Sequence, residues 1–189
     1  MESVKDELAG LRTFLAALES PSTEYRRGGV DIKAQEIEIL LADDSPADVE
    51  LTVRELRRHK LANHIHVAED GQEALDFIFC RGPFKNRSFA QPPRVILLDL
   101  KMPKVDGIEV LRAIRSDERT RAIPVVILTS SREQRDVIDG YKLGVNAYIQ
   151  KPVDFDEFRK VIEQIGMFWL VVNEAPPPGA FVGSDQTPS

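Results

Sequence analysis

The sequence predicts an α/β domain in which helices cover both faces of a parallel, five-stranded sheet. Five short apolar runs, each typical of a buried strand, alternate along the chain with five segments of helical periodicity. Such alternation favours parallel strands joined by right-handed crossovers. The 189 residues, 42% of them hydrophobic, are enough for one domain of about 120 to 150 residues with extensions at its ends.

The predicted strands are recognised by their apolar runs and by the polar residues that follow them. In chain order the strands span residues 37–42, 65–68, 95–98, 125–128 and 147–150. Asp43 and Asp44 follow the first strand, Asp99 follows the third, Thr129 the fourth and Lys151 the fifth. Because ligands bind at the carboxyl ends of the strands in open parallel sheets, these side chains are expected at one binding edge.

The predicted helices follow the strands in turn. Ser45 caps the first helix, which carries Pro46 in its first turn and ends near Arg58. Asp70-Gly71 and Asp106-Gly107 turn the chain into the second and third helices. The last two helices span residues 133–143, with Val137, Ile138 and Tyr141 apolar, and residues 154–165, with Phe155, Phe158, Val161, Ile162 and Ile165 inward.

The expected strand order is the flavodoxin-like 2-1-3-4-5, and this order has a chemical consequence. Its switch point lies beside the first and third strands, where Asp43, Asp44 and Asp99 meet. Clustered carboxylates repel one another and need a cation, and hard oxygen ligands of this kind suit Mg²⁺. The sequence therefore predicts a magnesium site at this edge.

The residues at this edge resemble those of the response-regulator receiver domains of two-component signalling. The matching set is Asp43-Asp44, Asp99 followed by Met102-Pro103 and Asp106-Gly107, Thr129, and Lys151-Pro152. The resemblance places the receiver domain at residues 37–166, between an N-terminal extension at residues 1–36 and a C-terminal arm and disordered tail at residues 167–189.

This resemblance implies a phosphoryl acceptor and its metal ligands. Asp99 is expected to accept a phosphoryl group from a sensor histidine kinase as an aspartate nucleophile. Asp44, Asp99 and the backbone carbonyl of Lys101 are expected to bind Mg²⁺ directly. Asp43 is expected to act on the metal partly through water.

The resemblance also implies the residues that respond to phosphorylation. Lys151 is expected to pair with Asp99 and then with a phosphoryl oxygen, and Thr129 to hydrogen-bond the phosphoryl group. Tyr148 is expected to be the aromatic switch that rotates inward when Thr129 moves. Lys101 and Ser131 offer no acidic or amide group to orient an attacking water, which favours slow dephosphorylation.

Other segments narrow the resemblance to the single-domain regulators that pair with phytochrome-type histidine kinases. They are the long loop at residues 81–93, the Thr129-Ser130-Ser131 run, residues 141–152, and Phe168-Trp169-Leu170 followed by prolines. The long loop is either plain surface or a partner contact that carries Phe84 and Phe89.

The two extensions predict self-association. In residues 1–36, Val4, Leu8, Leu11, Leu15 and Leu18 recur at helical spacing, and a Gly-Gly turn suggests a hairpin at residues 25–32. This extension is either a loosely attached leader or a docking or dimerisation helix, whose apolar stripe needs a partner surface. Residues 168–172 are apolar and β-prone, and a mobile β-prone segment can pair with a second copy. A homodimer held by Phe168, Trp169 and Leu170 is therefore predicted, and the alternative is that these residues fold back onto their own receiver.

Two rival functions share part of this pattern. Haloacid-dehalogenase-like phosphohydrolases also use an aspartate nucleophile, Mg²⁺ and a lysine on a parallel sheet, but they need a second aspartate two residues later, where this chain has Lys101. A receiver-like adaptor that is never phosphorylated is the other alternative, although the intact acidic set argues against it. The pattern favours a signalling module that is not an enzyme.

Composition limits the partners and the compartment. The net charge of −6 gives no sign of a nucleic-acid interface, whose footprint is a basic patch. No apolar run approaches the roughly 20 residues that a membrane span needs, and no signal core precedes the domain. The single cysteine, Cys80, fits a reducing cytoplasm.

Overall fold

The computed structural model describes residues 38–58, 64–131 and 133–173. The helix and hairpin expected in residues 1–36 and the tail expected after Asn173 lie outside the described residues. The five strands form one sheet in the order β2-β1-β3-β4-β5, and every neighbouring pair is parallel. The strands are β1 (Glu38–Ala42), β2 (His64–Ala68), β3 (Val95–Leu98), β4 (Val125–Thr129) and β5 (Ala147–Gln150). The predicted fold class and strand order are confirmed.

Five helices connect and flank these strands: α1 (Pro46–Arg58), α2 (Gly71–Ile78), α3 (Gly107–Ser116), α4 (Gln134–Lys142) and α5 (Phe155–Gly166). A short 3₁₀ turn at Gly82–Phe84 follows α2. Aspartates cap three of the helices, because Asp70, Asp106 and Asp154 each accept a hydrogen bond from the backbone N–H three residues later, at 2.8, 2.8 and 2.9 Å.

The apolar core lies on both faces of the sheet. Alternate strand residues such as Leu40, Ile96 and Ile127 pack with α2 and α3 on one face. Their sequence neighbours Leu41 and Leu97 pack with α1 and α5 on the other face. Because successive strand side chains point to opposite faces, a strand covered on both sides needs an unbroken apolar run, as observed.

The residues predicted as apolar in α4 and as inward in α5 are buried only in part. Ile138 and Tyr141 of α4 are exposed, and Gly140 is the buried residue that brings this helix close to the sheet. Phe155, expected inward, is also exposed, because it begins α5 and its ring meets the Arg54 guanidinium, 5.9 Å from the ring centroid, instead of the core.

The strand conformation expected for residues 168–172 is wrong. The chain continues from α5 as a π-helical segment, Met167–Val172, which buries Leu170 in the core cluster of its own domain. The wide π turn carries Leu170 to the apolar side of α5. Arg94 fixes the end of the segment, since its Nε donates to the Trp169 carbonyl at 3.3 Å and its guanidinium also bonds the Asn173 carbonyl. Tertiary packing therefore overrides the local β propensity.

The long loop after α2 is anchored to the domain. Phe84 packs edge-on against Phe77 with ring centroids 5.3 Å apart, and the Arg87 guanidinium lies 3.7 Å from the Phe77 centroid. Arg87 also forms a two-pronged ion pair with Glu38 at 2.7 and 2.6 Å. Phe89 lies under the Arg119 guanidinium.

Within the described ranges, no helix has the length and apolar character that a bilayer crossing requires.

Candidate functional site

The fold brings the three acidic residues together at the carboxyl ends of β1 and β3. These strands are neighbours, and the Asp99 N–H donates to the Ala42 carbonyl at 2.8 Å. One carboxylate oxygen from each of Asp43, Asp44 and Asp99 lies within 4.8 Å of the others. Asp43 and Asp99 are buried, whereas Asp44 is exposed. The juxtaposition predicted from the strand order is therefore present.

Asp99 is held by three donors from three separate parts of the chain. Its Oδ1 accepts hydrogen bonds from the Thr129 hydroxyl at 2.7 Å and from the Lys101 backbone N–H at 3.1 Å. Its Oδ2 accepts from the Lys151 ammonium at 2.8 Å. With only 5% of Asp99 exposed, these bonds orient a carboxylate that the surrounding core would otherwise disfavour.

Lys151 extends from the end of β5 into the acidic cluster. Its Nζ lies 2.7 Å from Asp43 Oδ2, 2.8 Å from Asp99 Oδ2 and 2.8 Å from Asp48 Oδ2. Burial alone would lower the pKa of Lys151, but hydrogen bonds and charge from Asp43, Asp48 and Asp99 outweigh it and raise the pKa above its ordinary value. The ammonium is therefore a permanent positive charge at the centre of the cluster.

At Asp43 burial has a larger effect on the pKa than the hydrogen bonds and charges that oppose it, which is the reverse of Lys151. Burial raises its pKa, the hydrogen bond and charge of Lys151 work against that rise, and the charge of Asp99 adds to it. Its Oδ1 also accepts the Ser45 backbone N–H at 3.0 Å, which ties the cluster to the start of α1. Lys151 therefore stabilises the charged form of the buried Asp43 carboxylate.

A chain of contacts leads from the site to α4. Thr129 donates to Asp99, and its oxygen accepts from the Ser131 N–H at 3.2 Å. The Ser131 hydroxyl donates to Asp136 Oδ2, in the first turn of α4, at 2.6 Å. Ser131 therefore couples the threonine to the helix.

Tyr148 on β5 lies half-buried beside this chain of contacts. Its hydroxyl is buried and has no hydrogen-bond partner among the described residues. Burial raises the pKa of the phenol, and the nearby carboxylates of Asp136, Asp99 and Glu133 raise it further. The ring packs against the core cluster, and the role of Tyr148 as a switch that rotates with Thr129 stays a prediction.

The loop after Asp99 is tightly fitted. A Cβ on Gly107 would lie 2.2 Å from the Asp99 carbonyl oxygen, so only glycine allows α3 to begin this close to the acceptor. Lys104 adopts a positive φ of 66° and its ammonium pairs with Asp70, the cap of α2. The Lys101 side chain lies 3.6 Å from Glu133, and both are exposed. The role predicted for the Lys101 carbonyl stays a prediction.

Sequence reasoning missed one residue of this site. Asp48 was not identified, although it lies in the first turn of the helix that begins just after Asp43-Asp44. This position beside the acidic edge was an available signal.

The donor set fits a divalent cation. Three carboxylates surround one edge, and the single ammonium of Lys151 does not balance their charge. Carboxylate oxygens are the hard ligands that such ions take in proteins. The site residues Asp43, Asp44 and Asp99 are therefore suited to hold one.

Comparison with known proteins identifies the family. The response regulator receiver domain family matches residues 39–163. The response regulator Rcp1 from Synechocystis is 38% identical over 132 residues, which cover 70% of this chain and 88% of Rcp1. The probable methanogenesis regulatory protein FilR2 from Methanothrix harundinacea is 41% identical over 140 residues, which cover 74% of this chain and 88% of FilR2.

Solved structures of response regulators are similar to this chain in both sequence and fold. The Mn(2+)-bound form of Rcp1 superposes with a TM-score of 0.70 at 37% identity, covering 74% of this chain and 98% of that structure. The structure of the bacteriophytochrome response regulator RtBRR gives a TM-score of 0.59 at 51% identity, and the match covers 75% of this chain and 84% of RtBRR. The family and the kinship with phytochrome response regulators predicted from the sequence are both confirmed: this chain belongs to the response-regulator receiver domains.

Proposed function

We propose that this receiver accepts a phosphoryl group on Asp99 from a sensor histidine kinase, and that the kinase is of the phytochrome type. The observation that carries the proposal is the Asp99 carboxylate, which lies at the sheet edge and is bonded by Lys151, Thr129 and the Lys101 N–H. The 51% identity with the bacteriophytochrome response regulator RtBRR supports the phytochrome partner.

The transfer is a displacement at phosphorus. An oxygen lone pair of Asp99 forms the O–P bond while the P–N bond of the kinase's phosphohistidine breaks, and the electron pair of that bond returns to the imidazole nitrogen. The other ring nitrogen of the phosphohistidine carries a proton, so the imidazole leaves as a neutral group, and the product on the receiver is an acyl phosphate of Asp99. Catalysis of such a step depends on positioning and on neutralising charge. Because the receiver itself carries the phosphoryl group as its signalling state, the proposed role is that of a signalling module and not of an enzyme.

The remaining site residues neutralise and orient the group. Lys151 carries a fixed positive charge beside Asp99, and the Thr129 hydroxyl is already within 2.7 Å of the acceptor. The clustered carboxylates of Asp43, Asp44 and Asp99 would hold Mg²⁺, with Asp43 acting partly through water and the Lys101 carbonyl as a further ligand. When bound, Mg²⁺ offsets the negative charge of phosphoryl oxygens. The relative Rcp1 has a Mn(2+)-bound structure, which supports a divalent cation at this edge.

The test is a phosphotransfer assay with purified phytochrome-type histidine kinases carrying labelled phosphate on histidine. Label should move to the receiver and be removed by hydroxylamine, which cleaves acyl phosphates but not phosphoserine or phosphothreonine. A receiver that takes no label from such kinases or from acetyl phosphate would overturn the proposal.

Transfer is expected to require the metal. Chelation should abolish label uptake, and Asp44→Asn should weaken Mg²⁺ affinity by about tenfold or more, because it removes one anionic oxygen ligand. The fold should survive, since Asp44 is exposed and its charge repels Asp43 and Asp99 in the metal-free protein. Isothermal titration and thermal unfolding measure both effects. Asp156→Asn, at an exposed carboxylate of α5, is the control. Undiminished uptake in excess chelator would contradict this prediction.

The phosphohydrolase alternative is disfavoured by a specific contact. At position 101, where that family needs an acid, this chain places an exposed lysine whose ammonium points to Glu133 at 3.6 Å. Turnover of a small phosphoester by the purified protein would revive it. The unphosphorylated adaptor is disfavoured because Asp43, Asp44, Asp99, Thr129 and Lys151 are all assembled at one edge.

The receiver is further proposed to form a homodimer through its C-terminal segment. Because Leu170 packs against its own domain, the surface for a partner consists of Phe168, Val171 and Val172, which are exposed on the π-helical segment. This surface differs from the arm first predicted, in which Trp169 and Leu170 also reached across.

The dimer is tested by Phe168→Asp combined with Val172→Asp. Light scattering at micromolar concentration should show a dimer for the wild type and a monomer for the double variant, since two charges cannot be desolvated in an apolar contact. Val153→Asp, at a fully exposed apolar residue outside this surface, is the control. A double variant that stays dimeric would reject the C-terminal interface.

A further inference from the structure

Asp48 places a third carboxylate on the ammonium of Lys151. It lies in the first turn of α1, and its Oδ2 is 2.8 Å from Lys151 Nζ, the same distance as Asp99 Oδ2. Its side chain is 33% exposed, whereas those of Asp43 and Asp99 are 1% and 6% exposed. Lys151 therefore connects two buried carboxylates with one that reaches solvent.

The contact uses up the hydrogen-bonding capacity of the lysine. An ammonium has three N–H donors and no acceptor. Asp43, Asp48 and Asp99 take one each in this structure. A phosphoryl oxygen on Asp99 can therefore be bonded by Lys151 only if one of the three present contacts is given up.

Burial decides which contact is given up. Releasing Asp43 would leave a buried charge without its counterion, which is strongly unfavourable. The Asp99 contact passes to the phosphoryl group, whose oxygens lie beyond the Asp99 carboxylate, so the ammonium has to move towards them and away from one of its other two partners. Asp48 is partly solvated, so water can replace the ammonium at its carboxylate at little cost. Asp48 is the partner that Lys151 can leave.

We propose that Asp48 is a positioning residue that holds Lys151 in the unphosphorylated receiver and competes with the phosphoryl group for its ammonium. The inference rests on the proposed phosphorylation of Asp99. It assigns to Asp48 a restraining effect: the contact stabilises the free receiver and must be broken when the phosphorylated state forms. Removing the carboxylate should therefore favour the phosphorylated state.

The competition is measured with beryllofluoride, a phosphoryl mimic, at saturating Mg²⁺. Asp48→Asn keeps the shape of the side chain and removes its charge. It should bind beryllofluoride about threefold more tightly than the wild type, as expected for loss of one partly exposed ion pair. Asp48→Glu keeps the carboxylate and should return the affinity towards that of the wild type. Glu50→Gln removes an exposed charge from the same helix and is the matched control.

A second readout follows the ammonium itself. In the metal-free wild type, the Lys151 N–H protons are bonded on all sides, so their NMR signal should be protected from exchange with solvent. Asp48→Asn should speed that exchange, and Asp48→Glu should restore protection. A purely structural role at the start of α1 would change thermal stability but neither signal.

The outcomes separate this inference from the function on which it rests. If the wild type binds beryllofluoride and Asp48→Asn binds it with the same or lower affinity, the competition is overturned while phosphorylation of Asp99 stands. If the wild type neither binds beryllofluoride nor takes up label, the proposed function fails and the competition fails with it. Unchanged exchange in Asp48→Asn would overturn the contact in solution.

Discussion

Asp99→Asn is expected to reduce phosphoryl uptake by at least about a thousandfold, because an amide oxygen is a far weaker nucleophile than a carboxylate. The change preserves the shape of the side chain, and Thr129 and the Lys101 N–H can still donate to the amide oxygen. The measurement is transfer of labelled phosphate from a phosphorylated kinase, followed over time.

The control for this variant removes a carboxylate elsewhere. Asp139→Asn, on α4, alters a residue that is paired with Arg135 at 3.7 Å and does not contact the site. It should accept label at the rate of the wild type. An Asp99→Asn protein that also matched the wild-type rate would show that another residue carries the phosphoryl group.

Lys151→Met should have the largest effect on stability. It removes the cation that Asp43 and Asp99 share in the buried part of the cluster. Breaking a buried ion pair from one side leaves an uncompensated charge and costs about 3 to 5 kcal/mol. The free energy of unfolding in chelator, measured by denaturant titration at neutral pH, should fall by this amount. Addition of Mg²⁺ should recover part of the loss.

The pH dependence of this variant gives a second signature. Burial already raises the pKa of Asp43, and Lys151 works against that rise, so the variant should raise it further. A carboxyl whose folded pKa exceeds its unfolded value of about 3.9 stabilises the fold fully below that value and loses the contribution as pH rises through the folded pKa. The stability deficit should therefore be largest at neutral pH and shrink as the pH falls.

Lys142→Met is the matched control for Lys151→Met, since Lys142 is an exposed lysine in the last turn of α4. It should leave both the stability and its pH profile close to those of the wild type. A Lys151→Met protein as stable as this control at neutral pH in chelator would show that the cluster does not need the ammonium.

The strands and most of the site could be predicted from the sequence for physical reasons. A strand covered on both faces requires a continuous apolar run, so residues 95–98 and 125–128 were recognisable without the structure. Parallel strands deliver whatever follows them to the same edge. The order 2-1-3-4-5 therefore implied that Asp43, Asp44, Asp99, Thr129 and Lys151 converge, and the structure brings them together.

Exposure of apolar residues was less predictable. Ile138, Tyr141 and Phe155 fit a helical apolar pattern, yet all three are exposed. Periodicity shows which residues share a helix face, but the extent of the neighbouring surface decides how much of that face is covered. For α4 this neighbour is the sheet edge at β5, which touches the helix at Gly140.

By itself, the sequence determined the fold class, the strand order, the acceptor edge and the family, because each depends on local patterns or on the topology that they impose. Only the tertiary structure decided that Lys151 takes Asp48 as a third partner, 103 residues away, and that Met167–Val172 is π-helical rather than extended. Both depend on distances between elements far apart in the chain. Local propensity carries no information on which carboxylate reaches an ammonium, or on which apolar face is open to Leu170.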